Sequence, residues 1–206
     1  MSDTIKRLLS LLCGALLALH WANVRAADAP SEYEVKAAFI HNIAKFVEWP
    51  ARPVAGSNLR LCILGQSPLV ETAGLLQGKQ VGNLVWEVRS VDSHSRLKEC
   101  HVLFIAASES DNLRSDLKGI NGSAVLTVGD SDGYAAQGVM VNFYIEQNKV
   151  RFEINAAAAN RAELRISSQL LKLARIVAEP GRIKLNSRIG SGMHPFSANS
   201  RSSTLS

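Results

Sequence analysis

The amino-acid sequence predicts an α/β fold: a single domain of three-layer type, with a mixed, mostly parallel sheet flanked by helices and completed by a C-terminal β-hairpin and helices. Three observations carry this expectation. Strand-like runs alternate with short helical ones from Leu59 onward. One of those runs, Val102 to Ala106, is continuously apolar, as a strand covered on both faces should be, and Ala124 to Val128 reads as a second buried strand. Two later runs, Val139 to Ile145 and Val150 to Ile154, flank Gln147-Asn148-Lys149, a hairpin connection that makes them antiparallel to each other. A chain of 206 residues that is 47% hydrophobic and 20% charged can bury one good core, and one domain is expected.

The first segment is read as a targeting signal rather than as fold. Lys6 and Arg7 precede an apolar run from Leu8 to Ala22, and Val24 to Ala26 supplies a small-residue step, which together describe a secretory signal peptide over residues 1–26. The run is about fifteen residues, short of the roughly 20 that cross a bilayer, so no membrane span is expected in the mature chain. Cys13 lies inside the run behind Leu11 and Leu12, where a lipid-modification motif would place small residues. Removal of the segment leaves a formal charge of +3, because three of its cations stand against Asp3. So mild a charge gives no argument for nucleic-acid binding.

Two cysteines then remain, Cys62 and Cys100, in a chain bound for an oxidising compartment, where an even count usually means a bridge. The competing reading is a metal or redox pair. It lacks a Cys-x-x-Cys step and a histidine at ligand spacing.

From Tyr33 the apolar residues Val35, Phe39, Ile43, Phe46 and Val47 recur three or four apart, the period of an amphipathic helix. Ser31 with Glu34 forms a capping box, and Pro50 after Trp49 stops the helix after about four turns. Leu59 to Leu64 reads as a buried strand ended by Gly65, and Ser67 to Leu76 as a short helix. Leu84 to Val91 alternates, as a strand with one wet face does. Ser108 to Leu117 is a helix candidate, and Gly129-Asp130-Ser131-Asp132-Gly133 a loop. Ala156 to Glu163 and Ser167 to Ala178 are helical, the second with Leu170, Leu171 and Leu173 toward the core and Pro180-Gly181 at its end. Residues 187–206 are almost free of apolar side chains and read as a disordered polar tail.

No nucleophile elbow, phosphate loop, zinc spacing or carboxylate pair stands out, so no catalytic residue, metal site or cofactor is assigned and the chain is not expected to be an enzyme. Asp130 and Asp132 fit a turn with Asx hydrogen bonds better than a cation site. His41, His94 and His101 share no spacing, and Ser167 and Ser168 start a helix, where capping accounts for at least one of them. Polar residues on apolar elements say more: Lys36 and Asn42 in the first helix, Glu153 and Asn155 at the end of the last strand. Buried, each needs a partner. Arg165 follows closely and could pair with Glu153, in an ion pair or as part of a binding surface.

The segment Glu34-Val-Lys-Ala-Ala-Phe-Ile-His-Asn-Ile-Ala-Lys-Phe-Val-Glu-Trp-Pro50, with Arg151-Phe-Glu-Ile-Asn155 and Leu164-Arg-Ile-Ser-Ser168, resembles the YfiR family of periplasmic proteins over about Tyr33 to Val177. Leu61-Cys62-Ile-Leu-Gly65, Cys100-His-Val-Leu-Phe-Ile105 and Val128-Gly-Asp130 also look like that family, with the cysteines where its shared bridge falls. The resemblance implies a YfiR-like domain over residues 31–180 that holds an inner-membrane diguanylate cyclase inactive, and so restrains cyclic di-GMP and biofilm formation. A second bridge near the C-terminus, carried by the family's best-known member, has no cysteines here.

The leading expectation is therefore a periplasmic interaction module that represses an inner-membrane signalling protein by docking on its periplasmic part, with a homodimer left open. Glu153, Asn155, Arg165 and Ser167 are the expected partner- or ligand-binding residues. The alternative is a periplasmic sensor that binds a small molecule at the strand ends, marked by a deep, mostly apolar pocket.

Overall fold

A computed structural model of the protein describes residues 29–50, 57–91 and 94–179. The expected signal peptide and polar tail lie outside the described residues. In chain order the elements are α1 (Glu32–Ala44), β1 (Val47–Glu48), β2 (Asn58–Leu64), α2 (Leu69–Ala73), β3 (Gln80–Val81), β4 (Leu84–Val91), β5 (Val102–Ile105), α3 (Leu113–Gly119), β6 (Leu126–Gly129), β7 (Val141–Glu146), β8 (Lys149–Ile154), α4 (Ala156–Arg161), β9 (Arg165–Ile166), α5 (Ser168–Leu171) and β10 (Arg175–Ile176). Short 3₁₀ turns precede β5, follow it, and extend α2.

Eight strands form one sheet in the order β10-β8-β7-β6-β5-β2-β4-β3. Pairing is parallel from β4 through β2, β5 and β6 to β7, and antiparallel at β3–β4 and β7–β8. This is the mixed, mostly parallel α/β sheet with a C-terminal hairpin that the sequence predicts. Gln147 and Asn148 both take positive φ, 50° and 58°, and by themselves turn the hairpin, the conformation that two-residue turns of this hand need.

Alternation along the strands divides the buried side chains into two layers. Leu61, Ile63, Val102, Phe104, Leu126, Val128, Val141, Phe143, Phe152 and Ile154 meet α1, through Ile40, Ile43 and Ala37, in the larger core. Phe39 lies against Phe143 and Phe152, with ring centroids 6.0 and 5.6 Å apart. Cys62, Leu64, Leu103, Ile105 and Val125 meet Leu113, Ile120 and Tyr134 on the opposite face. There Cys62 and Cys100 form the expected disulfide, with Cα atoms 5.8 Å apart. Each large side chain withdrawn from water contributes roughly 1.5–3 kcal/mol.

Four expectations are corrected. The first helix ends at Ala44 rather than near Trp49, and Val47–Glu48 turn into a strand because β9 offers them a partner. The stretch from Ser108 to Leu117 is broken into a 3₁₀ turn, Ala107–Glu109, and a helix that starts at Leu113. The stretch from Ser167 to Ala178 is helical only over Ser168–Leu171; Arg175–Ile176 leave it to pair with β8. Of its three leucines Leu170 is buried, whereas Leu173 is exposed. At Val47–Glu48 and Arg175–Ile176 an open backbone edge outcompetes local helical propensity.

Candidate functional site

The register places one residue from each of seven strands in a single transverse row: Val91, Leu64, Ile105, Gly129, Asn142, Glu153 and Arg175, from β4 to β10. Residues in register project to the same face of a sheet. The row is apolar as far as Ile105, bare at Gly129, and polar from Asn142 to the sheet edge.

Gly129 is required by packing. A Cβ there would lie 2.6 Å from Cδ2 of Tyr134 and 3.3 Å from Oδ1 of Asn142. The Tyr134 ring takes that space, and its hydroxyl donates to the Ala106 carbonyl at 3.1 Å. Next in the row, the buried Asn142 donates through Nδ2 to the Ser131 carbonyl and to Oε1 of Glu153, both at 3.0 Å. Glu153, also buried, accepts from Nε and Nη2 of Arg175, the former at 3.0 Å. The Arg175 guanidinium stacks 4.0 Å from the centroid of the Tyr144 ring. Glu153 and its hydrogen bond in turn hold the Arg175 pKa above the ordinary arginine value.

Asn155 continues this polar end beyond β8. Its Oδ1 caps α4 by accepting from the Ala158 amide at 2.9 Å, and its Nδ2 donates to the Ala135 carbonyl at 2.8 Å and to Glu179 at 3.3 Å. Arg161 grips the same Glu179 carboxylate. On the other face, Asp130 follows Gly129 and reaches Lys36 of α1, with Nζ 2.7 Å from Oδ2. Lys36 also meets Glu32 at 2.5 Å and lies 4.3 Å from the Tyr33 ring centroid. Burial opposes the Lys36 charge, but the two carboxylates outweigh it and raise its pKa above the usual lysine value. This pair pins α1 to the end of β6.

Of the four expected site residues the structure therefore brings Glu153 and Asn155 together. Arg165 and Ser167 stand elsewhere. Arg165 is in β9, in register with Glu48, and the Ser167 amide donates to the Phe46 carbonyl at 2.9 Å while its Oγ caps α5 by accepting from the Leu170 amide. The cation on Glu153 is Arg175, not Arg165: Arg165 is committed to the β1–β9 ladder, and β10 delivers Arg175 directly opposite Glu153. Sequence reasoning missed Arg175, Asn142 and Glu179. Arg175 was hidden inside a stretch read as helix; Asn142, the one polar residue in the inward part of an apolar strand, was the signal available.

A concavity of about 680 Å³ is lined by Glu48, Trp49, Pro50, Asn160, Glu163, Leu164 and Arg165. Two carboxylates and a guanidinium make it more polar than the pocket the sensor alternative predicts. The other expected polar residues have local explanations. Asn42 is exposed and accepts from Lys45. His41 Nδ1 accepts from Trp86 Nε1 at 2.9 Å, and His101 Nδ1 from the Arg60 amide at 3.0 Å. Among the described residues no group of three or more metal-ligating side chains comes together, and no helix is long and apolar enough to cross a membrane.

A family model described as YfiR/HmsC-like matches residues 33–175. Among solved structures, a conserved domain protein from Vibrio cholerae O1 biovar eltor aligns with a TM-score of 0.49 at 11% identity, over 72% of this chain and 60% of that one. An ABC domain in complex with L-Trp, from Streptococcus pneumonia, aligns with a TM-score of 0.47 at 10% identity, over 70% and 60%. This chain spans about 60% of the length of each.

Proposed function

This chain belongs to the YfiR/HmsC-like family, a membership that supports periplasmic regulation of cyclic di-GMP signalling in general, and from it we propose that the protein represses an inner-membrane diguanylate cyclase by docking on its periplasmic part. The family match over residues 33–175 carries the reading. The Cys62–Cys100 disulfide fits an oxidising compartment, and a cleavable signal peptide over residues 1–26 would deliver the chain there. Repression of this kind needs no chemistry. The module has only to bind the inactive state of the cyclase more tightly than the active one, and the shift it imposes equals that difference. The polar end of the sheet around Glu153 and Asn155 is the docking surface we assign.

Deletion of the gene in its host, with cyclic di-GMP measured by mass spectrometry, tests the proposal. The level should rise, return to normal with the wild-type gene, and stay high with a Cys62→Ser gene whose product reaches the periplasm in the same amount as the wild type, which would tie repression to the bridge. An unchanged level on deletion overturns cyclase control.

A second reading is a periplasmic sensor of small molecules at the cleft of Glu48, Trp49, Glu163 and Arg165, which departs from the mostly apolar pocket expected of it. Its lining suits a polar ligand that carries both charges, and ligand-dependent thermal shifts lost in Arg165→Ala would support it.

A further inference from the structure

Residues 172–179 cross the carboxyl end of β8 as a narrow strap. Its apolar hold is slight: β10 is two residues long, and Leu173 and Ile176 are 75% and 56% exposed. Polar clasps fasten it instead. Arg175 sits on Glu153, the Val177 amide donates to the Ile154 carbonyl at 2.9 Å, and Glu179 meets Asn155 and Arg161.

The two sides of these clasps are unequal. Glu153 and Asn155 are buried, whereas the Arg175 side chain is half exposed. Among the described residues, Glu153 also accepts from Nδ2 of Asn142, a neutral donor that does not balance its charge. A buried carboxylate stripped of its cation is strongly disfavoured, while a guanidinium that returns to water loses little. The site thus demands a cation without demanding that the strap supply it. Backbone groups add a second invitation, because β10 covers only Glu153 and Ile154 of β8, and the outer edge from Lys149 to Phe152 has no strand partner among the described residues.

We propose that residues 172–179 form a displaceable latch, and that the protein partner docks by laying an extended segment along the outer edge of β8 in its place, with a lysine or arginine of that segment on Glu153. A segment of six residues would pair along the whole of β8, and so outcompete a strand of two. Release of the latch uncovers only the half-buried Ala174 and Val177 and the already exposed Leu173 and Ile176, so little buried apolar area is lost. The inference rests on the reading that this end of the sheet is a docking surface, and it specifies what docks there.

The test uses the full chain and two synthetic nonapeptides, one with the sequence Leu171–Glu179 and one with glutamate at the position of Arg175. Amide hydrogen exchange across 173–178 should run at least a hundredfold faster than across 143–152 while the sheet stays intact. The native-sequence peptide should bind saturably, at least tenfold tighter than the charge-reversed one, and a further tenfold tighter to an Arg175→Ala chain whose latch is loosened. Exchange across 173–178 as slow as in the hairpin overturns the latch, and that measurement needs no variant to fold. So do peptides that bind neither chain or bind irrespective of the charge. Neither assay contains a cyclase, so failure here leaves the deletion experiment standing, and failure there leaves the latch standing.

Discussion

The two ends of one transverse row differ in kind. At Val91, Leu64 and Ile105 the sheet is apolar, flanked on both faces by core, and tied by the Cys62–Cys100 bridge one pleat away. At Asn142, Glu153 and Arg175 the same backbone geometry carries an amide, a carboxylate and a guanidinium, and ends in a strand of two residues. Apolar burial is non-directional and tolerates no vacancy, whereas the polar end is held by groups that each require a particular partner. The first arrangement gives stability. The second gives a surface whose partner can be specified by charge and exchanged.

The comparison breaks most directly at the bridge. Replacement of both cysteines by alanine removes a cross-link that closes a loop of 38 residues, and should cost about 4 kcal/mol on the chain-entropy estimate. Urea unfolding at neutral pH measures it. The same variant should leave binding of the Leu171–Glu179 peptide unchanged wherever the protein remains folded; a parallel loss would mean that the two ends of the row are one cooperative unit.

Lys36→Ala is expected next, at about 3 kcal/mol, because it strands the buried Asp130 carboxylate at the end of β6. Equilibrium unfolding reads the cost. Since Asp130 adjoins Gly129 in the middle of the row, hydrogen exchange should quicken in α1 and β6 before it does in β2.

Gly129→Ala sharpens the boundary between the halves. The added methyl meets the Tyr134 ring at 2.6 Å, and overpacking of that kind costs roughly 1–3 kcal/mol. The loss should be recovered in part by Tyr134→Leu in the same chain, a double-mutant cycle with coupling opposite in sign to two independent losses.

The sequence makes the apolar half readable and the polar half only partly so. Val102–Ile105 announces itself because a strand buried on both faces is continuously apolar, Leu126–Gly129 because it ends a mostly apolar run, and the hairpin because its flanking strands share a turn. β1, β3, β9 and β10 are two residues each. A pair of residues has no periodicity, and its conformation is set by whichever edge is open to it. The same reason hid the site's cation. Glu153 and Asn155 were visible as polar groups on an apolar strand, but their partners Arg175 and Glu179 are assigned by tertiary pairing, and Arg165, nearer in sequence, is the wrong arginine.

Acid should separate the halves once more, by the smallest amount. His41 and His101 both accept a hydrogen bond at Nδ1, from Trp86 and from the Arg60 amide, and both flank β2 and β4 in the apolar half. Burial lowers the pKa of each; Lys45 and Lys79 add to this at His41, and Arg60 at His101. A histidine whose folded pKa is depressed contributes stability that is fully present above the unfolded value of about 6.5 and is lost as pH falls through the folded one. Protonation at Nδ1 would also remove the acceptor that Trp86 and Arg60 use. The melting temperature should therefore be flat from pH 8 to 7 and fall by a few degrees between pH 6.5 and 5. His101→Gln should flatten that fall. An unchanged fall in that variant would show that the acid sensitivity resides elsewhere.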